Sequence, residues 1–189
     1  MREKKKKDLV LIHGWGFGRW IWESFIPCIE DRWCVTSINL PGYGGSGKLV
    51  FTDNEEANIN QIVKRISPNV PKNSIVLAWS LGGLIATKLA QVRRDIKALV
   101  LLASSPCFLN KPGWRGGIEP DDFNRLASRL SEDKTKTLQE FAGLVTMGDK
   151  HPKQTRNILC QHSGDNAPNL ETLQAGLHVL SSVALRRVM

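Results

Sequence analysis

The sequence of 189 residues lacks long apolar runs and cysteine motifs. Its basic N-terminus is followed only by the apolar residues Leu9 to Ile12, a run too short for a signal peptide or a membrane span. The four cysteines form no C-x-x-C pair, and no histidine lies at zinc-site spacing from them. No motif calls for a metal or a nucleotide cofactor. We therefore expect a protein with free thiols and without a cofactor, in a reducing, cytoplasmic compartment.

The net charge of +8 is concentrated in part at the N-terminus. Five basic residues against two acidic ones leave three of those charges within the first eight residues. A terminal lysine run is most often a solvated tail. Nucleic-acid binding is the alternative, but no known reader motif and no face that combines basic and aromatic residues supports it.

Apolar runs and helical patterns alternate over the first part of the chain. The expected strands are Leu9 to Ile12, Trp33 to Leu40, Ser74 to Ala78 and Ile96 to Leu102. The helical patterns between them cover Trp20 to Glu30, Asn54 to Ile66 and Leu81 to Gln91. Continuous apolar strands that alternate with helices predict a mostly parallel, doubly wound sheet with right-handed crossovers.

The pattern changes after Pro106, where strand-like runs stop. Four helical patterns follow, near Pro120–Leu130, Lys134–Met147, Pro152–His162 and Asn169–Ser182. We interpret residues 1–108 as the N-terminal part of an α/β core, residues 109–183 as an inserted helical cap, and residues 184–189 as the start of a return to the core. The last strands of such a core are expected to be absent, which would leave an open apolar sheet edge prone to aggregation.

The strongest chemical motif surrounds Ser80, between a strand and a helix. Ala78-Trp79-Ser80-Leu81-Gly82-Gly83 is a variant of G-x-S-x-G, the nucleophile elbow. A serine on such a sharp turn is strained, so the residues two positions away must be small. Ser80 would also lie at a helix N-terminus, where N–H groups stabilise an oxyanion. The structural alternative is an ordinary strand-turn-helix with an incidental serine.

The segment His13 to Gly16 directly follows the first strand. In hydrolases with a nucleophile elbow, the corresponding loop donates one backbone N–H to the oxyanion hole, and the residue after the nucleophile donates the other. The donors here would be Trp15 and Leu81. His13 is expected to organise the loop through hydrogen bonds rather than act as a general base. The glycine-rich segment Asn39 to Ser46 is expected to provide a turn, since glycines permit positive φ.

Several stretches together resemble the α/β-hydrolase superfamily, and within it the pimeloyl-[acyl-carrier protein] methyl ester esterases of biotin synthesis. They are His13-Gly14-Trp15-Gly16, Leu40-Pro41-Gly42-Tyr43-Gly44, Trp79-Ser80-Leu81-Gly82-Gly83-Leu84, Ala98-Leu99-Val100, Ala103-Ser104-Ser105-Pro106-Cys107-Phe108, Phe141 and Thr146-Met147-Gly148. The resemblance runs from about Leu9 to Arg186. It implies a serine carboxylesterase that hydrolyses the methyl ester of a carrier-bound pimeloyl group to the free acid and methanol.

The resemblance also implies a set of site residues. Ser80 would be the nucleophile, with Trp15 and Leu81 as oxyanion-hole donors. These three residues and a cap segment lining the acyl channel would contact the substrate. That segment is Phe141, Ala142, Gly143, Leu144 and Val145. Independently, Leu138, Phe141, Ala142 and Val145 fall at helical i, i+3, i+4, i+7 spacing, so the core of the cap itself is the alternative.

Basic cap residues of the family meet the acidic carrier protein, and the positions corresponding to them here are Lys136, Lys153 and Arg156. Glu140 stands where a basic residue would be expected, which weakens this assignment. Charge complementarity of this kind acts mainly on the association rate and the salt dependence. The expected partner is the acyl-carrier protein, and the expected state is a monomer without nucleic-acid or membrane partners.

The family triad continues from Ser to an Asp and a His on later loops, and neither is expected within these 189 residues. His151, His162 and His178, with Asp149 and Asp165, follow Ser80 but lie in cap helices or turns, so a surrogate triad is not expected. Loss of triad members costs about 10⁴–10⁶-fold in rate. We therefore expect a nearly inactive esterase. The alternatives are a hydrolase of another small ester, lactone or thioester, and a non-catalytic fragment that binds acyl chains or carrier protein.

Overall fold

Four parallel strands form a single sheet. The computed structural model describes residues 6–47, 52, 54–162 and 167–185. The strands are β1 (Lys7–Ile12), β2 (Trp33–Ile38), β3 (Ile75–Trp79) and β4 (Ala98–Leu102), in the spatial order β2-β1-β3-β4. All pairings are parallel. The predicted α/β class and the four predicted strands are confirmed, with ends that differ by up to two residues.

The strand order explains where a site can form. From β1 the chain moves outward to β2 and then crosses back over β1 to β3. The order therefore reverses between β1 and β3, whose residues Leu9 and Ile75 pair directly. Crevices at such switch points, outside the carboxyl ends of the strands, are where open α/β sheets bind ligands.

Within the described ranges, six α-helices accompany the sheet. They are α1 (Glu55–Ile66), α2 (Leu81–Val92), α3 (Pro120–Glu132), α4 (Lys134–Val145), α5 (Pro152–Gln161) and α6 (Leu170–Ser182). The side chains of Asn54, Asp133 and Asn169 cap α1, α4 and α6 by accepting a backbone N–H from the first turn. Such caps satisfy donors that have no intrahelical partner. The helices predicted after residue 50 are all present in the described part of the chain.

The helix predicted over Trp20 to Glu30 is wrong as a continuous element. The structure forms two short 3₁₀ turns, Arg19–Trp22 and Ile26–Cys28, linked by hydrogen-bonded turns. Pro27 has no N–H to donate to the residue four positions before it. An α-helix through this proline would lose that hydrogen bond, whereas a short 3₁₀ turn accommodates the proline at its start.

Alternate residues of β1 face the two sides of the sheet. Val10 and Ile12 belong to the large cluster that α1, α2 and α6 cover. Leu9 and Leu11 face a second cluster, which Trp22 and the 3₁₀ segment cover. Both faces of the central strand are therefore buried, which explains why β1 reads as a continuous apolar run.

β4 lies at one edge of the sheet and pairs only with β3 among the described residues. Val100, Leu101 and Leu102 keep 42%, 38% and 41% of their surface exposed. The open apolar edge expected from the sequence is thus located at β4. An edge of this kind is a template for pairing with another strand.

The four helices after residue 109 do not form an isolated layer. α3 packs against α4, and α4 against α5, whereas α6 contacts α1 and α2 as well as α3. Leu173 and Leu177 of α6 lie in the same cluster as Ile12. The domain boundaries at 108 and 183 stay predictions. Among the described residues, no helix is both long and apolar enough to cross a membrane.

Candidate active site

Ser80 lies on a strained turn between β3 and α2. Its φ of 54° and ψ of −121° place a non-glycine residue at positive φ, where strain is tolerated only if the surroundings hold it. The Ser80 N–H donates to the Leu102 carbonyl at 2.9 Å, and the Ser104 hydroxyl donates to the Ser80 carbonyl at 2.8 Å. Hydrogen bonds from β4 and the following loop therefore hold the backbone of the predicted elbow.

Small residues surround the elbow, as the sequence motif predicts. A Cβ on Gly82 would lie 2.4 Å from the His13 carbonyl oxygen, and one on Gly83 would lie 2.3 Å from the Ser104 hydroxyl. A Cβ on Gly14 would lie 3.1 Å from the Ser80 Cβ. The loop after β1 thus passes close to the Ser80 side chain, and the start of α2 packs directly on that loop.

The two backbone donors predicted for the oxyanion hole have no partner. Leu81 is the first residue of α2, so its N–H has no acceptor within the helix. Neither this N–H nor that of Trp15 donates to any residue that the structure describes. Both donors are therefore free to bind a negatively charged oxygen beside Ser80.

The Trp15 side chain fixes its loop to the cap. It is 1% exposed, and its Nε1–H donates to the Leu173 carbonyl of α6 at 2.8 Å. A Cβ on Gly176 would lie 2.7 Å from the Trp15 ring. The edge of this ring meets Phe141 of α4, with centroids 5.0 Å apart. The loop that carries the predicted oxyanion donor Trp15 is therefore held by α6 and α4.

His13 organises the loops after β1 and β2. Its Nε2 accepts the Leu40 N–H at 3.0 Å, and its Nδ1 lies 2.8 Å from the Gly14 carbonyl. Since Nε2 accepts, Nδ1 carries the proton and donates. Complete burial lowers the His13 pKa to about 4, with the Gly14 hydrogen bond opposing the shift. His13 is therefore a neutral structural residue, as expected from the sequence, and its ring makes no hydrogen bond to Ser80.

Burial of neutral His13 makes the stability depend on pH. Its pKa is about 4 in the folded state, against an ordinary value of 6.5 in the unfolded chain. The unfolded state therefore binds more protons between these values, and stability falls as the pH drops through this window. We expect the free energy of unfolding to be about 2 kcal/mol lower at pH 5 than at pH 7. Urea unfolding at both pH values measures the difference. The variant His13→Gln should lose most of this dependence, and an unchanged slope in that variant would contradict the assignment.

The glycine-rich loop after β2 forms hydrogen bonds with the segment that follows β1. The sequence did not predict these hydrogen bonds. The Tyr43 hydroxyl accepts the Gly16 N–H at 3.4 Å, and burial raises the Tyr43 pKa, so the phenol stays protonated. The Asn39 side chain accepts the Arg19 N–H at 2.7 Å and donates to the Gly44 carbonyl at 3.4 Å. The loop therefore contributes hydrogen bonds as well as shape. In the sequence, only the presence of the single tyrosine of the chain could have indicated this role.

The cap segment 141–145 divides between a buried and an exposed part. Phe141 contacts Trp15 and also Phe17, with the Phe17 centroid 5.8 Å away, and Ala142 is 1% exposed. Gly143 is half-buried, whereas Leu144 and Val145 are 62% and 37% exposed. Phe141 and Ala142 pack beside Trp15 and Phe17, and the channel-lining role of the whole segment stays a prediction. Helical spacing alone could not tell which neighbours cover each face.

The basic residues predicted to meet a carrier protein lie on adjoining helices. Lys136 on α4 and Lys153 and Arg156 on α5 are all exposed. Arg156 approaches α4, since a Cβ on Gly143 would lie 3.8 Å from the Arg156 Nε. Glu140 forms an ion pair with Arg129 at 3.3 Å. That pairing partly neutralises the acidic residue that weakened the assignment.

No described histidine forms a hydrogen bond with the Ser80 side chain. The His162 ring stacks on Trp20, with centroids 4.0 Å apart, while His151 and His178 are exposed. Asp149 lies just before α5, and its carboxylate accepts the His151 N–H at 2.9 Å and the Thr155 hydroxyl at 2.5 Å. These hydrogen bonds lower the Asp149 pKa. Asp165 lies outside the described residues. The described residues therefore form no surrogate triad.

The turn at Ser80 carries a hydroxyl group beside a helix N-terminus. The described part of the chain contains no group of three or more His, Cys, Asp and Glu residues that could hold a metal ion. The reactive groups that the structure places at this turn are the Ser80 hydroxyl and the predicted backbone donors. This arrangement suits nucleophilic attack on a carbonyl carbon with stabilisation of the resulting oxyanion.

Comparison with known proteins agrees with this geometry. A family model described as the alpha/beta hydrolase fold matches residues 8–157. A pimeloyl-[acyl-carrier protein] methyl ester esterase from Aliivibrio fischeri is 34% identical over 189 residues, which are 99% of this chain and 71% of that protein. The enzyme of the same name from Vibrio vulnificus is 36% identical over 181 residues, or 95% of this chain and 69% of that protein.

Solved structures match the fold at lower identity. An esterase from Exiguobacterium antarcticum superposes with a TM-score of 0.78 at 22% identity, covering 94% of this chain and 67% of that one. A bromoperoxidase from Bacillus anthracis gives a TM-score of 0.81 at 15% identity, covering 98% of this chain and 70% of that one. Identities this low show a shared fold and leave the reaction to the site itself.

Proposed function

This chain belongs to the α/β-hydrolase family, alongside the pimeloyl-[acyl-carrier protein] methyl ester esterases, and on that premise we propose that it is a serine carboxylesterase. The substrate we propose is the methyl ester of a pimeloyl group carried on acyl-carrier protein. The observation that carries the proposal is the strained Ser80 at the start of α2, with two unpaired backbone N–H groups beside it.

The proposed reaction is a two-step acyl transfer. The Ser80 hydroxyl oxygen attacks the ester carbonyl carbon, and the Trp15 and Leu81 N–H groups bind the oxyanion that forms. Collapse of this intermediate releases methanol and leaves an acyl group on Ser80. Water then hydrolyses the acyl group to a carboxylate and restores the serine. A general base must take the Ser80 proton in the first step, and none of the described histidines occupies that position.

Aromatic side chains beside Ser80 support an acyl substrate. Phe17 packs against Trp79 and Phe141, with centroids 5.1 and 5.8 Å away, and Trp15 packs against Phe141. Ala142 and Leu159 belong to the same cluster as Phe17. These apolar surfaces, contributed by the loop after β1 and by the cap, suit a methylene chain rather than a charged substrate.

The exposed basic residues Lys136, Lys153 and Arg156 support a docking surface for an acidic carrier protein. Long-range attraction of this kind raises the association rate and weakens as salt increases. We assign the protein to the cytoplasm, because the described cysteines Cys28, Cys34, Cys107 and Cys160 are all free thiols. The monomeric state expected from the sequence stays a prediction.

A comparison of three esters tests the substrate. We expect kcat/KM to be highest for the carrier-bound pimeloyl methyl ester, lower for free dimethyl pimelate and lowest for a short ester such as methyl acetate. Single-turnover assays at enzyme excess allow slow reactions to be measured. The triple variant Lys136→Gln, Lys153→Gln, Arg156→Gln should lower only the carrier-bound rate, by about tenfold at low salt. Equal rates on all three esters would contradict the pimeloyl assignment while leaving an esterase of another substrate.

A second candidate function is non-catalytic binding of acyl chains or carrier protein. The observation in its favour is that the Ser80 hydroxyl has no hydrogen-bond partner among the described residues, and therefore no base. This candidate predicts that Ser80→Ala changes neither ligand binding nor any chemical reactivity. Covalent labelling of the serine separates the two candidates.

A further inference from the structure

A cavity of about 470 Å³ lies on the side of the loop after β1 that faces the glycine-rich loop. Its walls come from three parts of the chain: the segment 16–23, the loop 39–45, and the residues around the end of α5. Ser80 does not line it. The cavity is therefore separate from the serine site, although both share the loop that carries Trp15.

The described walls of this cavity present unpaired donors. The N–H groups of Gly44 and Gly45, both at positive φ, donate to no described residue. The Arg19 guanidinium forms no ion pair, and the Trp20 Nε1–H has no acceptor, within the described part of the chain. Successive free N–H groups in a glycine turn, next to a guanidinium, are a recurrent anion-binding arrangement.

Other features of the cavity limit what it can hold. The imidazole of His162 stacks on Trp20 at 4.0 Å between centroids, with 14° between the ring planes, and so forms a flat wall. The Asn39 carbonyl oxygen is already occupied by the Arg19 N–H. The Glu23 carboxylate also lines the cavity and opposes an anion.

We propose that this cavity binds a phosphate-type oxyanion, held by Arg19, the Trp20 indole N–H and the Gly44 and Gly45 N–H groups. A tetrahedral oxyanion has enough acceptor oxygens for all four donors, whereas a carboxylate has only two oxygens to share among them. The phosphate could be free or could belong to the phosphopantetheine arm of an acyl-carrier protein. Only the second source rests on the proposed function.

NMR titration tests this site without any turnover. The reporter is the Trp20 indole N–H signal, assigned with Trp20→Phe, and the probes are inorganic phosphate, 4′-phosphopantetheine and pantetheine. We expect saturable shifts with both phosphate-bearing probes and none with pantetheine. Binding tenfold tighter for phosphopantetheine than for inorganic phosphate would assign the site to the carrier arm, and equal binding would assign it to free phosphate.

Two variants are expected to change the affinity for phosphate in opposite directions. Arg19→Gln should weaken phosphate binding about tenfold, because a charge-assisted contact is lost. Glu23→Gln should tighten it about threefold, because a like charge is removed. The matched control is Arg94→Gln, at an exposed arginine on the opposite edge of the sheet, which should not change phosphate binding.

The proposal is overturned if neither phosphate probe binds up to about 20 mM, if pantetheine binds as well as phosphopantetheine, or if Arg19→Gln behaves like the control. Loss of esterase activity in another assay does not affect these outcomes.

Discussion

Replacement of Ser80 by alanine is expected to abolish covalent labelling by a fluorophosphonate probe and to lower the already slow ester hydrolysis only modestly, because triad members act as a unit and the described residues supply no base. Labelling should be lost because no other hydroxyl of the described chain combines positive φ, a helix N-terminus and two free N–H donors. Gel detection of the bound probe measures the labelling, and single-turnover hydrolysis measures the rate. Labelling of the parent protein is expected to be slow, because no described histidine activates the serine.

The matched control is Ser128→Ala, which removes an exposed serine on α3. This variant should label and hydrolyse like the parent protein. The Ser80→Ala variant should also keep its stability, since the Ser80 hydroxyl makes no hydrogen bond to the described residues. Retained labelling in Ser80→Ala would place the reactive group elsewhere. Absence of labelling in the parent protein would favour the non-catalytic binding function.

Replacement of Gly82 by alanine is expected to destabilise the fold by about 3 kcal/mol. The added Cβ would lie 2.4 Å from the His13 carbonyl oxygen and 2.8 Å from the Ile12 carbonyl oxygen. Both contacts are with backbone, which cannot rotate away as a flexible side chain would. Relief would require α2 to move off the end of β1, which would also displace Ser80 from Gly14. Urea unfolding measures the loss of stability.

Gly143→Ala is the matched control for this prediction. Gly143 also lies inside a helix, but its added Cβ would meet only the Arg156 side chain, at 3.8 Å or more. Alanine is the better helix former by about 1 kcal/mol, so this variant should be slightly more stable than the parent. If both variants had the same stability, the packing of α2 on the end of β1 would not be as tight as the distances indicate.

Much of the fold follows from local rules. β1 and the strands beside it are short apolar runs, and α1, α4 and α6 begin directly after an asparagine or aspartate cap. The Ser80 elbow is also local, because a serine between a strand and a helix with glycines two and three positions later permits few backbone conformations. These features were predicted because each depends on residues within a few positions of one another.

Other features depend on contacts that sequence spacing cannot supply. The segment from Trp20 to Glu30 was predicted as a helix from its sequence pattern, but Pro27 and packing against Leu9 and Leu11 produce two 3₁₀ turns. Among the residues at helical spacing on α4, Leu138 and Ala142 are buried, yet Val145 is 37% exposed. Periodicity places residues on a common face of a helix, whereas the neighbouring elements decide how much of that face is covered.

The sequence by itself determined the α/β class, the position of the nucleophile elbow and the family of this protein, because short motifs and hydrophobic patterns encode local backbone geometry. Only the tertiary structure decided that His13 is a buried neutral residue bonded to Leu40, that Trp15 is anchored to α6, and that Arg19 and Gly44 line one cavity. Those residues are far apart along the chain. Their contacts arise from the packing of the loops at one edge of the sheet. No local sequence pattern predicts which distant residues come into contact there.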